Sequence, residues 1–298
     1  MRFSPAASGR VAIFRVAERV AAETERRVAL APDYICNVVY RALESAGFAV
    51  RPYALDDHFE PDPEALRAEL ARGDVAILLT ASLFGSTAML PLLARQAWRV
   101  PILDSRVHVI ADLCQDLALI DHLPDGYGDR LTAVLSFNDK SVPGLMGGGI
   151  LSTRSYPEPH RRAGVADRLR LLREWRTRIA MRDARGRPPD TGWEYSRCRT
   201  FPFRIEPVRL TRLQLAAAVV GLKALPALNA ARARFVERYS ELRRLPHSDS
   251  AACLVADHFP GSLPVSRLRL KAGYATPDDP AGSLRPGLRI VISDGRVE

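Results

Sequence analysis

A lysine just beyond a buried strand is costly unless it has chemistry to perform, because burial penalises the ammonium. Lys140 stands in such a place, in Ser136-Phe137-Asn138-Asp139-Lys140, with Gly147-Gly148-Gly149 following before the next aliphatic run. Attack of its amine on an aldehyde to give an imine is one suitable task. Nearby glycines would let a flat ligand approach the backbone. A plain loop lysine is the other reading. Asp104 closes Val100-Pro101-Ile102-Leu103, which reads as a strand. A carboxylate at the carboxyl end of a strand in an open parallel sheet faces the ligand crevice. There it can hold a protonated pyridine nitrogen and make the ring an electron sink; a cap or a salt bridge would use the same residue. Ser8-Gly9-Arg10 precedes a helix starting near Val11. Such a turn offers backbone N–H groups and a positive dipole end to a phosphate, with Arg10, Ser8 and Ser136 as further donors. Simple N-capping by Ser8 is the alternative.

A phosphate turn, then a strand-end aspartate, then a lysine is the order and spacing expected of fold-type-I pyridoxal-phosphate enzymes. The surrounding pattern supplies a matching scaffold. Strands are predicted at Val28–Ala31, Phe48–Tyr53, Val75–Thr80, Val100–Leu103, Thr132–Phe137 and Gly149–Thr153. Helices are predicted at Ile35–Ala46, Glu64–Ala71 and Met89–Ala97. This alternation implies βαβ units and a mainly parallel sheet with helices on both faces. A charged helix and a Gly/Pro loop fill 155–206. A long helical pattern then runs from Leu210 to about Leu245, interrupted at Pro226. The last fifty residues contain one clear strand, Leu288–Ile292. The expected division is a large α/β domain, 1–206, and a long helix with a small, shortened C-terminal α+β domain, 207–298.

Composition narrows the class. The net charge of +9 is almost all arginine. The cluster at Arg168, Arg170, Arg173, Arg176 and Arg178 fits the solvated face of an amphipathic helix. Few aromatics accompany it, which argues against a nucleic-acid groove. Cys36, Cys114, Cys198 and Cys253 form no CxxC pair, so no metal site is expected. No secretory signal and no membrane-spanning run is read, and a cytoplasmic protein is expected.

The chain resembles the DegT/DnrJ/EryC1/StrS family of sugar aminotransferases. The matching stretches are Ser8-Gly9-Arg10-Val11-Ala12, Pro32 to Cys36 with Ala42 to Gly47, Leu83-Phe84-Gly85, Pro101 to Asp104, Ser136 to Lys140 with its glycines, and Arg209 to Ala217. The resemblance implies a pyridoxal 5′-phosphate cofactor carried as a Schiff base on Lys140, which also shuttles the proton. It implies Asp104 on the pyridine nitrogen, and Ser8, Gly9, Arg10 and Ser136 on the phosphate. Tyr34 is the aromatic nearest the family's ring-stacking position, which falls at Cys36. His108 neighbours Val107, where the family places a polar residue. Amino transfer to a keto substrate is implied, a keto-sugar or natural-product intermediate among them, in a homodimer. A non-catalytic cofactor-fold binding protein, or a lyase or decarboxylase on the same cofactor, are the other readings. The chain also departs from the family at Ser82 and Pro207, and its C-terminal part is short.

Overall fold

The computed structural model describes residues 1–56, 59–83, 89–114, 117–137, 147–157, 159, 161–162, 164–167, 169, 172, 205, 208–238, 253–256, 268–270 and 289–293. Its centre is a parallel sheet of β2 (Val28–Pro32), β3 (Ala49–Tyr53), β4 (Val75–Ala81), β5 (His108–Asp112) and β6 (Leu131–Ser136). Next to β6 lies β7 (Gly148–Ser152), antiparallel to it, and then β1 (Arg2–Ala6), antiparallel to β7. The order across the sheet is β1-β7-β6-β5-β4-β2-β3. Six strands thus share one direction and β7 opposes them.

Successive residues of a strand point to opposite faces. Every residue of β5 and β6 is buried, so both faces of the sheet are covered there, as a mainly parallel sheet requires. Helix α1 (Gly9–Glu23) supplies part of that cover and packs on β6, β7 and helix α2 (Asn37–Ser45). Helices α3 (Pro63–Ala71), α4 (Met89–Ala94) and α5 (Gln96–Asp104) connect the next strands. β2 leads outward to β3, whereas its neighbour β4 leads the opposite way to β5. Connections that diverge from adjacent strands open a crevice at the strands' carboxyl ends.

The structure corrects the expectation for 100–103. These residues are not a strand; they form the second half of α5, and Asp104 is its exposed last residue. The buried positions Trp98 and Ile102 are four apart, which is helical spacing. Pro101 lies inside this helix and makes the stretch look like a break. The strand in this region is β5, eight residues later than predicted.

Helix α6 (Arg212–Arg238) continues through Pro226 rather than stopping there. Gln214 and Ala218 are buried, and Leu222 and Leu225 pack on the core. The last strands, β8 (Cys253–Ala256), β9 (Leu268–Leu270) and β10 (Arg289–Ser293), form an antiparallel sheet of order β8-β10-β9.

Candidate active site

The turn Ser8-Gly9-Arg10 caps α1 as its sequence suggests. Ser8 is the N-cap, with extended backbone, and its Oγ accepts from the Val11 N–H at 3.3 Å. Its carbonyl accepts from the Ala12 N–H at 3.0 Å. First-turn amides have no acceptor within the helix, and the dipole adds partial positive charge at this end. No acidic side chain in the first turn offsets it. The hydroxyl of Ser8 keeps its hydrogen to donate.

This turn is pressed onto the ends of β5 and β6. A Cβ built on Gly9 would lie 2.6 Å from Cys114 Sγ and 3.3 Å from Ser136 Cβ. A Cβ on Gly148 would lie 2.6 Å from the Ser8 carbonyl carbon and 2.7 Å from the Gly9 nitrogen. At Gly148 the crowding atoms are backbone, so only glycine fits; at Gly9 an added carbon would have to displace the Cys114 sulfur. The result is a cradle for an anion, made by the N-terminus of α1 with Ser136 beside it.

Asp112 closes β5 and is buried. Its Oδ1 accepts from the Cys114 N–H at 2.9 Å, and its carbonyl accepts from the Ser82 N–H at 3.1 Å. Cys114 therefore bridges Asp112 to Gly9. The buried carboxylate at the carboxyl end of a strand is thus Asp112, whereas Asp104 ends a helix. Sequence reasoning missed it, although Val109-Ile110-Ala111-Asp112 is a second aliphatic run closing on aspartate. The Pro-Ile-Leu-Asp run comes first and drew the assignment.

Lys140 lies outside the described residues, as do Phe84 and Gly85. The residues flanking 138–146 are described. Phe137 donates its N–H to the Gly147 carbonyl at 3.0 Å, and Ser136 pairs with Gly148. Gly147 has φ +139, a conformation L side chains rarely adopt.

Two predicted residues fall elsewhere. His108 is the first residue of β5, about 13 Å along the strand from Asp112. It is buried, its Nε2 is 3.0 Å from Thr132 Oγ1, and burial pushes its pKa down to about 4. It is a neutral core residue at the opposite end of the sheet from the cradle. Tyr34 follows β2, two strands from β5, and packs its ring on Phe59 with centroids 5.4 Å apart. It is 2% exposed, within the core.

No protein-family model and no curated protein matches the chain. Solved structures do. One is a DegT DnrJ EryC1 StrS aminotransferase from Brucella abortus, 14% identical, TM-score 0.61, covering 99% of this chain and 80% of that one. Another is Helicobacter pylori PseC, an aminotransferase involved in pseudoaminic acid biosynthesis: 12% identical, TM-score 0.62, with 98% and 81% covered. The chain has the fold of these aminotransferases. A third, 3-amino-5-hydroxybenzoic acid synthase, is 15% identical at a TM-score of 0.58, with 98% and 81% covered. The fold-type-I architecture expected from the sequence is thereby shown.

Proposed function

We propose that the chain is a pyridoxal-phosphate-dependent aminotransferase whose cofactor is attached to Lys140. One observation carries the reading: in this fold, the α1 N-terminus, Ser136 and the buried carboxylate of Asp112 meet at the carboxyl ends of β5 and β6. These residues fit the cofactor. A cradle that a Cβ would fill suits a phosphate, and a buried, oriented carboxylate suits a pyridinium.

When bound, the cofactor supplies an aldehyde that captures amines and a ring that takes up electrons. Ser8, Gly9, Arg10 and Ser136 hold the phosphate. Asp112 takes the role that the resemblance assigns to Asp104 and keeps the ring nitrogen protonated. Its orientation is fixed beforehand by the Cys114 N–H. Lys140 anchors the cofactor, and its Nζ moves a proton at the substrate carbon once freed. The amino acceptor is a keto compound, with keto-sugars the class that the resemblance favours. The resemblance also implies a homodimer, for which the exposed Leu213, Val219 and Val220 of α6 offer apolar surface.

A spectroscopic half-reaction tests this. Adding glutamate to the loaded protein should bleach its visible band, and 2-oxoglutarate should restore it. A band indifferent to every amino acid offered would contradict amino transfer while leaving cofactor binding intact.

A further inference from the structure

The roles given to the carboxylate and the phosphate turn leave the Cys114 side chain without a task. Cys114 comes two residues after Asp112, where the β5–β6 pairing runs out. Leu113 donates its N–H to the Val134 carbonyl at 2.9 Å, and Cys114 Sγ lies 3.8 Å from the same oxygen. The Cys114 N–H bonds to Asp112 Oδ1 at 2.9 Å. Its sulfur is the atom nearest a Cβ built on Gly9, at 2.6 Å, ahead of Ser136 Cβ at 3.3 Å and the Leu135 carbonyl oxygen at 3.7 Å. A carbon–carbon bond is about 1.5 Å long, so the sulfur stands in van der Waals contact with the Gly9 backbone. Gly9 is buried and Cys114 half-buried against the core. One residue thus meets the carboxylate with its backbone and the phosphate turn with its side chain.

We infer that Cys114 is a positioning residue whose side chain acts as a spacer: it sets the separation between the Asp112 carboxylate and the N-terminus of α1, so that one ligand can reach both. The inference rests on the cofactor reading proposed above. It follows from the ligand's own dimensions. The ring nitrogen and the phosphate belong to one small molecule, so their two partners must stand apart by what that molecule spans. Capture of the second end is then an intramolecular event, which adds affinity only where the geometry allows both contacts at once. Asp112 is held by its strand and by the Cys114 N–H. The depth at which the turn settles against the end of β5 is set by what lies between them, and the sulfur lies there. Removing a packed atom leaves a gap into which its neighbours relax in part. Without the sulfur the turn moves toward β5, and its amides leave the line that the phosphate takes.

Two ligands without an aldehyde separate this role from a merely structural one, and neither calls on a lysine. Inorganic phosphate engages the cradle alone and follows the turn wherever it settles. Pyridoxine 5′-phosphate carries both ends. Calorimetric titration of Cys114→Ala should show pyridoxine 5′-phosphate bound about tenfold more weakly with inorganic phosphate unchanged, the scale of a small misplacement between two linked contacts. Asp112→Asn should also cost less in the Cys114→Ala chain than in the natural one, because both changes act on one spacing. If Cys114→Ala fails to fold, Cys114→Ser, whose hydroxyl is smaller than the thiol, serves in its place with the same expectation. Equal losses for the two ligands, a loss for phosphate alone, no loss for either, or strictly additive costs with Asp112→Asn would overturn the inference. Should Asp112→Asn alone leave pyridoxine 5′-phosphate binding unchanged, the placement of the ring at Asp112 would be refuted, and that result does not depend on Cys114.

Discussion

A carboxylate serves a pyridine nitrogen well only if its own direction is fixed before the ligand arrives. Asp112 meets that condition through the Cys114 N–H and its place at the end of a fully buried strand. Asp104, exposed at the end of α5, does not. Asp112→Asn should therefore lower turnover by about a hundredfold or more, as removing one preorganised electrostatic partner does. Asp104→Asn should leave it unchanged. Steady-state kinetics on both variants decide between them; equal effects would contradict the assignment. The helix cap at Ser8 was legible because it follows from local chain chemistry: Ser-Gly ahead of a helix is a cap wherever it occurs. The buried strand-end position of Asp112 was not, because two aliphatic runs close on aspartate and only the sheet says which is a strand.

At the scale of elements, the cradle depends on how closely α1 approaches β7. Gly148→Ala would put a methyl carbon against Ser8 and Gly9, so the turn must move away from Ser136. Binding of pyridoxal phosphate should weaken by tenfold or more, on the order of the loss of one charge-assisted hydrogen bond. Gly73→Ala, where no atom lies within 4 Å of the added carbon, is the control. Gly73 has a φ of +76 and Gly148, in β7, has no such φ, so the control bears a backbone cost that Gly148→Ala is spared and lacks only the crowding. Titration of both variants checks this. Most strands were legible as apolar runs bounded by turns, as in β2, β4 and β6. β5 was not, because it begins on His108 and ends on Asp112. α5 was misread because the aliphatic run through Pro101 hides the Trp98–Ile102 spacing. α6 was predicted to break at Pro226 and does not.

For the molecule as a whole, His108 ties stability to pH. It sits in a buried polar ladder in which Thr132 Oγ1 also contacts Ser152 Oγ at 3.3 Å. Its pKa in the folded chain is about 4, below the ordinary histidine value, because burial disfavours the cation. The unfolded chain therefore binds a proton first as pH falls, and stability falls with it between roughly pH 6.5 and 4. Urea unfolding without added cofactor should lose about 2 kcal/mol from this group between pH 7 and pH 5. His108→Val should show a correspondingly flatter pH dependence whatever its absolute stability. An unchanged slope would contradict the neutral, buried state. The overall architecture was the most legible feature, since strand–helix alternation fixes a mainly parallel sheet without any site being known.

Attachment of the cofactor turns on a single nitrogen, and the composition makes it testable. Only Lys140, Lys223 and Lys271 can form an imine through a side chain. Loading the protein with pyridoxal phosphate, reducing with borohydride and mapping the added mass by peptide mass spectrometry reads the attachment directly. One modified lysine, Lys140, is expected, with no visible band in Lys140→Ala. Modification at Lys223 or Lys271 instead, or a band that survives the substitution, would contradict it.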